Sequence, residues 1–249
     1  MMNHPTIDRN ALSYWFPKLQ STGVSVPRTK IIKTDVDFWP VLDGQPAKGA
    51  DEFLAHLHKE VCDFGLPLFL RTGHTSAKHS WKNSCYIIST VDLGKNVFGL
   101  IEYSAMVMLG SCLPWDEWVL REFLDLDTRF TAFWGDMPIN NERRYFIEGG
   151  EIICRHPYWP PIAFDGVKTS TDEWQEILEE MNSEEAPELE ELTMRVTSVF
   201  KGAWSLDWAK TKNGDWYAID MALAGDSYHW QECPNKTRTW NHFEEELEV

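Results

Sequence analysis

The sequence predicts an α+β fold with antiparallel sheets, and three observations predict it. Two pairs of apolar, aromatic-rich runs flank glycine turns and read as β-hairpins: 204–209 with 215–222 around Asn213-Gly214, and 143–147 with 151–155 around Gly149-Gly150. Amphipathic helical stretches lie before and between them. At 249 residues, 43% apolar and 13% aromatic, the chain can fill one large core or two lobes.

Taken in order, residues 1–50 read as a cap with a short helix near Trp15-Phe16-Pro17-Lys18-Leu19 and a strand entering Ile31-Ile32. From 51 to 64, Phe53, Leu54, Leu57, Val61 and Phe64 recur at helical spacing, and Gly65 stops the helix. Leu66 to Arg71 is a short apolar strand opening into Thr72-Gly73-His74-Thr75-Ser76-Ala77-Lys78-His79-Ser80-Trp81. This small, polar, basic loop has the chemistry to hold phosphates, with amides and hydroxyls as donors and Arg71 and Lys78 as charges. A solvated loop after a strand is the other reading. It is not a P-loop, because no G-x-x-x-x-G-K-[ST] occurs.

A helix follows at 97–108, then a strand at 117–124 that ends at Asp125 and Asp127. The Gly149-Gly150 hairpin is expected to bring Arg144 and Arg155 to one face. Ser170-Thr171-Asp172-Glu173 reads as a capping box before a helix carrying Trp174, Ile177, Leu178 and Met181. Pro187 ends that helix, and a second runs through Leu189, Leu192, Val196 and Phe200. The acidic tail 244–249 is expected to fray.

In the last hairpin, side-chain alternation lets Asp207 and Asp220 share one face of adjacent strands. Two carboxylates so close repel unless a cation sits between them, and oxygen-only ligands suit magnesium. The competing reading is an amphipathic edge whose aspartates face water.

Thirty-nine acidic against 23 basic residues give a formal charge of −16, which argues against a broad nucleic-acid surface or an anionic membrane partner. Met1-Met2-Asn3-His4-Pro5 lacks the features of a signal peptide, and the expected location is cytoplasmic. Five scattered cysteines without a C-x-x-C indicate neither a disulfide framework nor a zinc knuckle, so buried reduced thiols are expected.

The order of these parts, basic strand and loop, Arg-Glu strand, arginine hairpin, helix, aspartate hairpin, resembles the ATP-grasp superfamily. Over residues 66–232 it looks most like the phage and bacterial branch in which arginine replaces the strand lysine. It is also similar to the eukaryotic assembly chaperone of translation initiation factor two. Leu70-Arg71 through Ser76, Lys78 and Trp81 carries the first part of the match, Leu120-Arg121-Glu122-Phe123 the second, Glu142-Arg143-Arg144-Tyr145-Phe146 the third, and Asp207 with Asp220 the last.

The resemblance implies two α/β lobes with antiparallel sheets clamping ATP and magnesium: a cap at 1–50, an N-lobe at 51–118 and a C-lobe at 119–249. It further implies phosphate contacts from Arg71, Ser76 and Lys78, adenine reading by Arg121, Glu122 and Phe123, and Asp127 on the ribose. Arg144 would stabilise the transferred phosphoryl group, and Arg155 would orient phosphate or acceptor. Asp207 and Asp220 would bind magnesium, with Asp226 replacing the ligand missing at Ala222. The implied activity is an ATP-dependent ligase joining a carboxylate, activated as its acylphosphate, to an amine or other nucleophile. The carboxylate and the amine are left open as small molecule, peptide or protein. The alternatives are an ATP-binding assembly chaperone and an acidic interaction domain. The first fifty residues, Trp159-Pro160-Pro161 and His229-Trp230 are expected to shape the acceptor site.

Overall fold

The computed structural model describes residues 7–107, 112–134 and 136–241; the expected fraying tail lies outside them. Along the chain run α1 (Leu12–Ser21), β1 (Thr29–Lys33), α2 (Trp39–Leu42), α3 (Ala50–Phe64), β2 (Leu68–Thr72), β3 (Tyr86–Ile87), α4 (Leu93–Met106) and β4 (Glu117–Glu122). The second half holds β5 (Thr128–Ala132), β6 (Met137–Asn140), β7 (Glu142–Glu148), β8 (Glu151–Pro157), α5 (Trp174–Ser183), α6 (Glu188–Thr197), β9 (Ala203–Lys210) and β10 (Trp216–Leu223).

The first sheet has the order β1-β4-β2-β3, every pair antiparallel. The apolar stripe of α3, Phe53, Leu57 and Val61, packs with Leu100 and Ile101 of α4 onto Leu68, Leu70, Trp118 and Leu120. The second sheet, β10-β9-β7-β8, is also antiparallel and contains both expected hairpins. Its core face carries Tyr145, Ile147, Leu206 and Trp208, covered by Leu189 and Val196 of α6. Trp208 is wholly buried, and its indole donates to Thr193 of α6 at 3.1 Å.

The first fifty residues divide between these sheets. Leu12, Trp15, Phe16 and Leu19 of α1 enter the core of the second sheet, whereas β1 pairs with β4 in the first. A buried carboxylate fastens the two, since Glu117 of β4 accepts from the amide and hydroxyl of Ser13.

Residues 128–140 form a ribbon, β5-β6, that sequence reading passes over. Its Phe130, Ala132, Met137 and Ile139 pack on Leu178 and Met181 of α5 and on Phe164. These strands are short, and Pro138 masks the alternation. The expected capping box before α5 does not form. Ser170 Oγ instead accepts from the amide of Thr131, stitching the pre-helix loop to β5 at 2.9 Å.

Candidate active site

The second sheet carries a row of polar side chains across four strands. Arg144 on β7 stands opposite His156 on β8 and opposite Asp207 on β9, and Asp207 stands opposite Asp220 on β10. A β-bulge makes the last pairing. Ala218 faces Trp208 on the core side, and the extra residue Ile219 then shifts the register so that Asp220 meets Asp207. The Asn213-Gly214 turn is not the two-residue loop expected. Only Gly214 takes positive φ, and Thr211 to Asp215 closes the turn through the Thr211 hydroxyl and backbone.

Each carboxylate of the row already holds a guanidinium. Arg144 grips Asp207 in a two-pronged pair, both contacts 2.7 Å, with the two side chains only 12% and 7% exposed. Burial disfavours the Arg144 charge, but Asp207 outweighs that cost and holds its pKa above the ordinary arginine range. Arg144 also donates to the carbonyl of Tyr228 at 3.3 Å and lies over the Tyr158 ring at 4.6 Å.

Arg71 of β2 reaches across from the first sheet and donates to Asp220 Oδ1 at 2.9 Å. Beyond it the loop turns tightly. The Thr72 hydroxyl accepts from the amides of His74 and Thr75, and a Cβ on Gly73 would fall 2.8 Å from Glu117 Oε2, so only glycine fits there. Those amides are therefore satisfied within the loop, contrary to the expectation that the whole loop offers donors. Ser76 and Lys78 are the residues it presents to the cleft.

Lys78 donates to the Tyr158 hydroxyl at 3.1 Å, with its ammonium 4.3 Å from that ring centre and 4.8 Å from that of Trp159. Burial penalises the ammonium, yet Tyr158, Glu142 and Asp207 together hold its pKa above the ordinary lysine value. Trp159 itself is core, packed on Phe164 and Phe133.

Between the sheets lies a cavity of about 360 Å³, bounded by Arg71, Ser76 and Lys78 on one side and Glu142, Asp207 and Asp220 on the other. That is within the range of small-molecule sites. Its back is the connection from β4 into β5, residues 121–126, and its roof is aromatic: Phe123 packs 4.9 Å from Tyr86, and Trp81 stacks on Tyr86 at 5.4 Å. Arg121 is buried and donates to Thr29 Oγ1 and to the carbonyl of the bulge residue Ile219, tying the two sheets together. Glu122 accepts from the amide of Arg28 at 3.1 Å.

The structure thus brings Arg71, Ser76, Lys78, Arg121, Glu122, Phe123, Asp207 and Asp220 to one cavity, with Arg144 behind Asp207. Three other sequence candidates stand apart. Asp127 is held by Arg129 at 2.9 and 2.8 Å, outside the lining, while Asp125 reaches it. Arg155 is opposite Tyr145, a core residue, so it lies on the other face from Arg144 and pairs with Glu190 of α6; the expectation of a shared face is corrected. Asp226 sits on a short 3-10 turn, accepts from Asn10 at 2.7 Å and does not line the cavity.

Glu142 is the residue that sequence reading missed. It sits two positions before Arg144 on β7, a spacing that gives both the same face and was the available signal. It is 3% exposed, and burial followed by the nearby Asp207 raises its pKa against the pull of Lys78. Its Oε2 is buried with no hydrogen-bond partner among the described residues. These donors fit magnesium: Asp207 and Asp220 face each other on paired strands, the bonds to Asp220 run through Oδ1, and Glu142 adds an uncommitted oxygen.

Residues 63–238 match the model of an ATP-grasp domain family, the third family of its clade. A search of curated proteins finds no match. Among solved structures, the chain is similar to the ATP-grasp ligase PsnB complexed with minimal precursor, at 13% identity and a TM-score of 0.42, covering 86% of this chain and 52% of that one. It is similar also to N5-carboxyaminoimidazole ribonucleotide synthetase from Thermotoga maritima (14% identity, TM-score 0.41, 86% and 41% covered). A third is carboxyaminoimidazole ribonucleotide synthase from Aspergillus clavatus complexed with ATP (10% identity, TM-score 0.47, 86% and 44% covered). The chain spans about half the length of these structures.

Proposed function

The chain belongs to this ATP-grasp domain family, and from that premise we propose that it is an ATP-dependent carboxylate–amine ligase working in the cleft between its sheets. The observation that carries this reading is the facing of Arg71 and Lys78 from the first half against Asp207 and Asp220 of the second across one cavity. In this reading Arg71, Ser76 and Lys78 receive the phosphates, and the aromatic roof with residues 121–123 receives the adenine. Arg144 is pre-set by Asp207 and Tyr228, so its charge is oriented before the phosphoryl group moves. Arg71 exchanges Asp220 for phosphate oxygens as the nucleotide enters.

Magnesium held by Asp207 and Asp220, with Glu142 beside them, would offset the phosphate charge. A carboxylate oxygen of the substrate attacks the γ-phosphorus and ADP departs; an amine then attacks the acyl carbon and phosphate departs. The clamp's share of catalysis is positioning and charge stabilisation. Arg155 and Asp226 take no part in this assignment.

The test is nucleotide release by the parent and by Asp220→Asn with a pool of carboxylates and amines. ADP release by the parent, lost in the variant, is expected. AMP release would replace the acylphosphate by an adenylate. No release, together with ATP-dependent capture of a protein partner, would favour the assembly-chaperone reading instead.

A further inference from the structure

Away from the cleft, the fold assembles a group that sequence spacing hides. Cys154 on β8, His229 and Cys233 each offer a ligand atom, and all three atoms lie within 4.8 Å of one another; no other such group of three occurs among the described residues. Cys154 Sγ is 3.2 Å from His229 Nε2. The two residues of the later segment are separated by three, the kind of short spacing found in paired zinc ligands, and the strand supplies the third 75 residues earlier. In a tetrahedral site with ordinary zinc–sulfur and zinc–nitrogen bonds, ligand atoms are about 3.5–3.8 Å apart, so the group is already near its bound spacing.

We propose that Cys154, His229 and Cys233 bind a zinc ion. Two thiolates and an imidazole are a donor set that favours zinc over magnesium or calcium. The surroundings agree. His229 is stacked on Phe146 at 4.2 Å and flanked by Trp240 at 5.9 Å, an apolar wall that holds the imidazole in place.

His156, whose ring centre is 5.3 Å from that of His229, faces the Pro157 carbonyl through Nδ1 at 3.1 Å. That bond fixes the tautomer and leaves Nε2 as a lone pair, which is buried without a hydrogen-bond partner among the described residues. The fourth coordination position lies toward this atom or a water. Without a cation the two sulfurs are poorly matched: burial, followed by the proximity of Cys233, pushes the Cys154 thiol up to about 12. A divalent ion reverses that balance by stabilising the thiolates.

The consequence is mechanical. Zinc would fasten the segment after β10 to β8, and that segment includes Tyr228, whose carbonyl holds Arg144 beside Asp207. The site is independent of whether the cleft turns over ATP.

The full chain, purified under reductant without a metal-chelating step, is expected to carry close to one zinc per chain by elemental mass spectrometry. Cys154→Ser and Cys233→Ser should each lower this at least tenfold, and Cys62→Ser, at an exposed cysteine outside the group, should leave it unchanged. If a variant fails to fold, the parent still decides: reconstituted with cobalt after chelation, it should show the thiolate charge-transfer band and intense visible bands of a tetrahedral site. Denatured and unreduced, it should titrate as five free thiols. Absence of bound metal after reconstitution, a cobalt spectrum without thiolate transitions, or three free thiols from a Cys154–Cys233 disulfide would each overturn the proposal.

Discussion

Asp207 and Asp220 are chemically alike and stand in register, yet their surroundings predict different responses to the same substitution. Asp207 is buried against Arg144, so Asp207→Asn leaves a guanidinium without its counter-charge and should cost roughly 3–5 kcal/mol, the usual penalty for breaking a buried pair. Asp220 has a side chain 40% exposed and partners Arg71 at the cleft edge. Asp220→Asn is therefore expected to keep the fold, with a chemical-denaturation midpoint near the parent's, while losing magnesium-dependent nucleotide binding. An equal loss of stability in both variants would contradict this division. Arg71→Ala and Lys78→Ala each remove a charge-assisted phosphate contact worth roughly 1.5–3 kcal/mol. Calorimetry should show ATP affinity falling by roughly ten- to a hundred-fold in each, and unchanged affinity in both would leave the loop a solvated surface.

Among the elements, the hairpins were legible because their glycine turns and apolar runs are local signals, and α3 and α6 because their stripes are regular. The bulge at Ile219 was not. It depends on Trp208 claiming the core opposite Ala218, a tertiary demand that alternation within one strand cannot report. The same limit explains Arg155: which strand position faces which is settled by the register of β7 with β8, not by the Gly149-Gly150 turn alone. The ribbon β5-β6 is anchored by charge as well as packing. Arg129 binds both Asp127 and Glu184, and Glu184 also accepts from Lys210 of β9 at 3.3 Å. The bond from Arg129 lowers the Asp127 pKa; for Glu184, burial works the other way but Arg129 and Lys210 prevail. Folded-state values below the unfolded ones mean stability that is present above the unfolded carboxylate range near pH 4 and lost as pH falls through the folded values. The melting temperature should accordingly drop between about pH 5 and 3, and drop less in Arg129→Met. Parallel pH profiles for parent and variant would show that the cluster contributes nothing.

At the scale of the molecule, the cleft exists because β1, β2 and β4 deliver cations to the same space into which β7, β9 and β10 deliver carboxylates. Arg121 ties the two sheets across the bulge, and α1, anchored through Ser13 and Glu117, packs on the second sheet while its neighbour β1 completes the first. The order of motifs made this arrangement readable, since each short run was ambiguous alone and their sequence along the chain was not. The cysteine–histidine group was unreadable for the opposite reason, its members being brought together only by the finished fold. Among the described residues no helix is long and apolar enough to cross a membrane. The most direct test of the central claim is calorimetric titration of ATP into the parent chain with magnesium and again with the metal chelated. The carboxylate row opposite Arg71 and Lys78 predicts tight binding with magnesium and a steep loss without it, whereas equal affinity under both conditions would contradict the assignment of Asp207 and Asp220.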